Sequence, residues 1–396
     1  MKRQIIMLVL LVVLFGCTKD KSIYETQTKE VVPPIDLFNP DGPDLPREGF
    51  LTAGVNKVSM EVTMPGGEKM MRNFKYYFPI SINPNKPISL VFNFHGSYTY
   101  NGTVPPDPIL DIYPSHPLNR VADTANIITV WPAGIAEPGA VNWQASEKHI
   151  PFVKAMIEYF KKAKPTIDVN RIYTCGHSSG AIFSFVLAKE MNDVFAAACP
   201  VSGQMKQTNP VFPTRTVPIR AFNGVKDATV NYTAALGNIN NWAEQMAGYY
   251  AKDNVKGLPV ITLSNYNITP YKWNGGNGDI EFYSIAEADH GIDWTIIMPL
   301  MWDFMRQNPL NKPIGIYVGV QQDAVTYELG QKYTVALRVS KGVAVRVASA
   351  PVGFTVALVG NTVEITAGPT AINGKIVLEG TLDGKIKNTE ITLTKK

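Results

Sequence analysis

The run Ile172-Tyr173-Thr174-Cys175 leads into Gly176-His177-Ser178-Ser179-Gly180, and a helical stretch opens directly at Ala181. A chain that turns from strand to helix in so few residues needs glycine on both sides of the turn. Larger side chains there would collide with the strand or the helix. Ser178 is then held in a strained backbone conformation at a helix N-terminus, with its hydroxyl facing outward. A turn of this kind belongs at the edge of a sheet with helices on its faces, so the motif places a nucleophile and limits the architecture together.

The flanking pattern agrees. Val58–Met64 alternates with period two, Pro65-Gly66-Gly67 turns, and Met71–Phe78 returns, which predicts a hairpin. Strands are then predicted at Ser89–Phe94, Ile127–Trp131, Arg171–Cys175, Phe195–Val201, Val217–Phe222 and Ile280–Ile285. Helices are predicted over 116–125, 147–163, 180–191, 235–252 and 293–306, with Pro299 kinking the last or marking its start. Alternating elements of this kind predict an α/β domain over 51–310, with a doubly covered, mostly parallel sheet. Residues 313–396 are rich in Val, Thr, Ile and Gly and show short strands between turns, which predicts an all-β immunoglobulin-like sandwich.

The N-terminus reads differently. Lys2-Arg3 precede an apolar run from Ile5 to Phe15 that is too short to span a bilayer but suits a signal peptide. Leu14-Phe15-Gly16-Cys17 resembles a bacterial lipobox, so residues 1–17 are expected to end at a lipidated Cys17. Residues 18–50, with Pro33-Pro34, Pro40, Pro43 and Pro46, read as an extended tether. The expected location is the bacterial cell envelope, lipid-anchored at the outer membrane or cell surface.

Composition excludes several classes. Apolar residues make up 45% and charged residues 18% of the 396, a globular balance. A net charge of +4 without clustered Lys/Arg argues against nucleic acid as partner. The 3 cysteines exclude a disulfide scaffold or a multi-cysteine zinc site, and Cys175 and Cys199 read as buried free thiols.

A serine nucleophile needs a base, and the base needs an orienting carboxylate. Of the 5 histidines, His177 lies in the turn itself. His116 and His149 fall near helix starts, where a solvated imidazole is the default. His290 follows the strand Ile280–Ile285, in a loop at the expected C-terminal edge of the sheet. Chain order Ser…Asp…His selects Asp227, after the strand Val217–Phe222, over Asp193 and Asp253 at helix ends. An oxyanion hole would draw one backbone N–H from Ser179 and a second from the loop after His95-Gly96, at Ser97 or Tyr98. Tyr98, Tyr100, Trp143 and Trp294 flank these loops and suit a flat acyl group or a sugar ring, or else the rim of a core.

The set His95-Gly96, Trp131-Pro132-Ala133-Gly134, Asn142-Trp143, Gly176–Gly180, Asn223-Gly224-Val225-Lys226-Asp227 and Ala288-Asp289-His290 resembles the α/β-hydrolase family of bacterial esterases. That family includes polyhydroxybutyrate depolymerases and feruloyl esterases. The resemblance covers residues 50–308. It implies an ester hydrolase with Ser178 as nucleophile, Asp227 as acid and His290 as base, with no metal and no cofactor. Ala181 stands where many members carry glycine, and Ser-Tyr-Thr-Tyr follows His95-Gly96 in place of their Cys/Gly-rich run. The expected substrate is a small or polymeric carboxylic ester. A serine peptidase, or a non-catalytic surface binding protein on a hydrolase scaffold, are the alternatives.

Overall fold

The computed structural model describes residues 49–99, 116–137, 140–144, 146–205, 215–245, 255–273, 279–312, 316, 318–339 and 342–396. The signal segment, Cys17 and nearly all of the tether lie outside the described residues, as do Tyr100 and Asp253.

The chain builds β1 (Gly54–Thr63), β2 (Lys69–Phe78), β3 (Ser89–Phe94), β4 (Tyr98–Thr99), α1 (Pro117–Ala125), β5 (Ile127–Pro132), β6 (Ile135–Glu137), β7 (Ala140–Asn142), α2 (Ser146–Lys162), β8 (Ile172–His177), α3 (Ser179–Glu190) and β9 (Ala197–Val201). It continues through β10 (Ile219–Gly224), α4 (Tyr232–Gln245), β11 (Val255–Gly257), β12 (Ile261–Leu263), β13 (Tyr266–Trp273), β14 (Ile280–Ile285) and α5 (Trp294–Gln307). An 11-stranded mixed sheet runs β1-β2-β5-β3-β8-β9-β10-β14-β13-β11, with β12 paired to β13. From β5 to β14 every neighbouring pair is parallel. The β1–β2 hairpin and β13 extend it antiparallel at either side.

The central strands are apolar on both faces because both faces are covered. In β3, Leu90, Phe92 and Phe94 pack in one core with α2 residues Phe152, Met156 and Phe160, while Val91 joins a second core with α5 residues Ile297, Met301 and Phe304. A third core gathers α4 residues Ile239 and Trp242 with Ile219, Ala221 and Phe282. Arg220 of β10 lies in register with Glu281 of β14 and binds it at 2.6 Å, inside the protein.

Two features depart from the sequence reading, and one of its two readings of Pro299 falls away. Strands β11–β13 and the small sheet β4-β7-β6 were absent from it. Pro299 lies inside α5, which starts at Trp294 with Asp293 as its cap. His149 and His116 are not solvated. His149 is 1% exposed on the apolar face of α2, and half-buried His116 caps α1 by accepting the Leu118 N–H at 3.1 Å.

Beyond residue 316 the strands β15 (Val318–Val320), β16 (Ala324–Tyr327), β17 (Lys332–Val339), β18 (Ala344–Ser349), β19 (Phe354–Val359), β20 (Thr362–Ala367), β21 (Gly374–Leu382) and β22 (Lys385–Lys395) form two 4-stranded sheets. They run β15-β17-β20-β19 and β16-β22-β21-β18. Val320, Leu337 and Ile365 of the first share a core with Tyr327, Leu378 and Ile391 of the second. The strands β15 and β16 were not anticipated. Pairing of β16 with β22 is parallel, the other described pairs antiparallel.

Candidate active site

Strand β8 delivers Ser178 and α3 carries it away. Ser178 has φ 53° and ψ −115°, a conformation side chains rarely adopt. The geometry survives because the glycines on either side leave room. A Cβ on Gly176 would lie 2.6 Å from the Phe94 carbonyl oxygen, and one on Gly180 would run into that same carbonyl. The motif thus packs directly on the end of β3, whose next residues are His95 and Gly96.

Strands β10 and β14 deliver the other two groups. Asp227 is buried, and its Oδ1 accepts the Thr229 and Val230 N–H groups at 2.9 and 2.8 Å. Its Oδ2 accepts from His290 Nδ1 at 2.8 Å. A carboxylate at neutral pH only accepts, so the His290 proton sits on Nδ1 and the Nε2 lone pair is left for a nucleophile. The two loops also bind each other, since Lys226 N–H donates to the Ala288 carbonyl at 3.0 Å. Glu287 is clamped from β13 by the Asn267 N–H and Nδ2 groups at 2.8 and 2.7 Å. Asp193, the rival acid within the described residues, is exposed after α3.

The loop after β3 lies over Ser178. A Cβ on Gly96 would stand 3.4 Å from the Ser178 Cβ. His95 fixes this loop. Gly134 N–H donates to His95 Nε2 at 3.0 Å, so Nδ1 carries the proton and donates to the Gly96 carbonyl at 2.7 Å. Burial pushes His95 down to about 4, against the pull of the Gly96 bond, so the ring stays neutral at neutral pH. Turning the Gly96 carbonyl toward His95 turns the Ser97 N–H of the same trans peptide the opposite way. Ser97 and Tyr98 are both exposed.

Trp143 has a different place from the expected one on a substrate-binding surface. It is 2% exposed and stacked on Phe183 at 5.3 Å between ring centroids. Its Nε1 donates to the His95 carbonyl at 3.0 Å, and its backbone N–H donates to Ser179 Oγ at 3.1 Å. It therefore braces the His95 carbonyl and the Ser179 side chain, the segments that carry the two expected oxyanion donors. Trp294 is half-buried, with its ring 5.7 Å from His116, which in turn meets Trp131 at 4.5 Å. Tyr98 is 40% exposed.

Sequence reasoning missed a buried group that reaches the Trp143 cluster through His149. Arg72 donates to the Ala133 carbonyl at 2.9 Å and to His149 Nδ1 at 3.3 Å, and lies over the Phe152 ring at 4.2 Å. A signal existed. His149 sits at helical spacing with Phe152, Val153 and Met156, on the stripe that faces the core. Cys175 and Cys199 lie in register on β8 and β9 and are free and buried. Among the described residues, no His/Cys/Asp/Glu group is arranged to hold a metal ion.

No family model matches the chain. Over 250 residues, 61% of the chain, it is 26% identical to the bifunctional acetylxylan esterase/xylanase of Neocallimastix patriciarum, covering 34% of that protein. It is 25% identical over 268 residues to poly(3-hydroxyalkanoate) depolymerase C of Paucimonas lemoignei, covering 60% of this chain and 61% of that one. The chain thus spans about a third of the first relative and three-fifths of the second. Among solved structures, the acetyl xylan esterase from Aspergillus awamori superposes with a TM-score of 0.51 at 15% identity, over 64% of this chain and 99% of that one. The fold is that of an α/β-hydrolase. On this fold Ser178, Asp227 and His290 occupy the ends of β8, β10 and β14, at the C-terminal edge of the parallel strands.

Proposed function

We propose that this α/β-hydrolase is a serine esterase, with Ser178 as nucleophile, His290 as general base and acid, and Asp227 as the orienting carboxylate. The observation that carries the reading is the 2.8 Å bond from His290 Nδ1 to a buried Asp227, in a loop whose His290 carbonyl is bound by His177, the neighbour of a strained Ser178. Ser178 Oγ attacks the ester carbonyl while His290 Nε2 takes its proton. The tetrahedral oxyanion is held by the N–H groups of Ser179 and Ser97. Collapse expels the alcohol, which leaves with the His290 proton. Water, deprotonated by His290, then releases the acid and restores Ser178. None of these steps draws on a cofactor.

The substrate class is an acetyl or feruloyl ester of plant polysaccharide, or a polyester, in keeping with the esterase and depolymerase names of the relatives. Exposed Tyr98 and half-buried Trp294 offer aromatic surface to the acyl or sugar part. Turnover of p-nitrophenyl acetate, methyl ferulate, acetylated xylan and polyhydroxybutyrate, together with fluorophosphonate labelling mapped by mass spectrometry, tests the reading. The expected adduct is on Ser178. Inertness toward all four esters with no Ser178 adduct would refute it.

The chain is further proposed to be held at the bacterial envelope by lipid on Cys17, through the tether 18–50. Among the described residues no helix is long and apolar enough to cross a membrane. Cys17→Ser is expected to move the protein from the membrane to the soluble fraction, and a variant that still sediments with membranes would contradict the anchor.

Residues 313–396 are proposed to be an immunoglobulin-like module serving as spacer. The 6 tryptophans of the chain all precede it, so it lacks the ring most used to stack sugars. Its core is its own, and the assigned catalytic groups lie in 97–290. Deleting 313–396 should leave kcat/KM on p-nitrophenyl acetate nearly unchanged; a collapse would show that the module supports the site.

A further inference from the structure

His177 lies inside the turn yet has no part in the steps above. Its Nε2 is 2.7 Å from the His290 carbonyl oxygen. A carbonyl only accepts, so Nε2 carries the proton and donates. The two imidazole centroids are 4.8 Å apart. The other side of the ring faces the loop after β3, where a Cβ on Gly96 would stand 2.9 Å from His177 Nδ1. One side chain, adjacent in sequence to the nucleophile, thus touches both the main chain that carries the base and the loop over the nucleophile.

We propose that His177 is a positioning residue that holds the His290 main chain and the Gly96–Ser97 loop at a fixed offset from Ser178. The inference rests on the esterase reading. Other bonds to the His290 loop act further upstream: Lys226 on Ala288, and Asn267 on Glu287. His177 acts on His290 itself. Asp227 fixes how the His290 ring is turned, whereas His177 fixes where its backbone stands. Both must hold for Nε2 to meet the Ser178 hydroxyl, because a small misplacement of a catalytic base is costly. Burial pushes His177 below the usual histidine range, against the pull of its bond to the His290 carbonyl; the nearby His290 ring adds to the lowering and Asp227 opposes it. A neutral ring keeps a second positive charge away from His290 when it takes the serine proton.

The shape of the donor gives a discriminating test. A glutamine amide nitrogen reaches the place of a histidine Nε2, whereas an asparagine amide reaches only that of Nδ1. Steady-state kinetics on p-nitrophenyl acetate and fluorophosphonate inactivation rates are compared for wild type, His177→Gln, His177→Asn and His177→Leu, with thermal unfolding as a control. His177→Leu and His177→Asn should lose roughly 10²-fold in kcat and in inactivation rate, with KM within about twofold. His177→Gln should recover most of that loss. If His177→Leu does not fold, the Gln/Asn contrast decides alone. Equal rates for Gln and Asn, a wild-type kcat in His177→Leu, or a loss confined to KM would overturn the inference and leave the esterase reading standing. A wild type that turns over no ester would overturn both.

Discussion

Ser178→Ala should fold normally and lose on the order of 10⁴ or more in kcat/KM on every ester the wild type hydrolyses. The loss is large because no neighbouring group can replace the attacking oxygen, and what remains is binding plus oxyanion stabilisation. The fold should be untouched because the turn is shaped by Gly176 and Gly180 against the Phe94 carbonyl, not by the hydroxyl. Alanine inherits the same positive φ without adding bulk. Asp227→Asn supplies a companion test. An amide in place of the carboxylate lets His290 Nδ1 lose its proton to the wrong tautomer, and a drop of about 10⁴ in kcat is expected. Circular dichroism and thermal unfolding should match wild type for Ser178→Ala. Residual hydrolysis within tenfold of wild type, in about that range of error, would assign the chemistry to another group.

Acid should destabilise the protein through a histidine far from solvent. His149 accepts a hydrogen bond from Arg72 and is enclosed by Trp143 and Phe183. Burial, then the Arg72 charge, pushes it from 6.5 to about 3. The folded pKa is depressed, so the unfolded chain binds a proton that the folded one refuses. Stability is therefore complete above pH 6.5 and falls as pH drops toward 3. Between neutral pH and about 4.5, this residue alone should cost about 3 kcal/mol. His95 and His116, each lowered to about 4 chiefly by burial, add in the same direction. His149→Phe should be less stable at pH 7, by about 1–3 kcal/mol, because Arg72 loses an acceptor. It should also lose less stability on acidification. Urea unfolding at the two pH values measures both; equal pH dependence in wild type and variant would remove His149 from the account.

The central parallel strands and the Ser178 turn were legible because each carries a local signal. Period, glycine placement and apolar runs belong to the element itself. Asp227 and His290 were legible through chain order and their place after a strand, and the structure brings them into hydrogen-bond contact. What was not legible depends on partners distant in sequence. Trp143 looks like an exposed loop aromatic until Phe183 and the His95 carbonyl are seen around it. His149 looks solvated if its position near a helix start is weighed above its spacing with Phe152 and Met156. Strands β11 to β13 are short or polar; β13 pairs on the edge offered by β14, and β11 and β12 in turn pair on β13. β4, β6 and β7 are of two or three residues, too brief for a period to register.

The groups that hold the site in place mostly grip main chain. Trp143 binds the His95 carbonyl, His95 the Gly96 carbonyl, Arg72 the Ala133 carbonyl, and His177 the His290 carbonyl. A carbonyl oxygen is the same whatever side chain its residue bears. Replacements at Ser97, Tyr98 or Trp294 therefore leave these anchors intact, provided the backbone path is kept. On the esterase reading, substrate preference is then free to drift in a lineage, or to be rewritten by directed evolution at a few outward positions, while the chemical step stays constant.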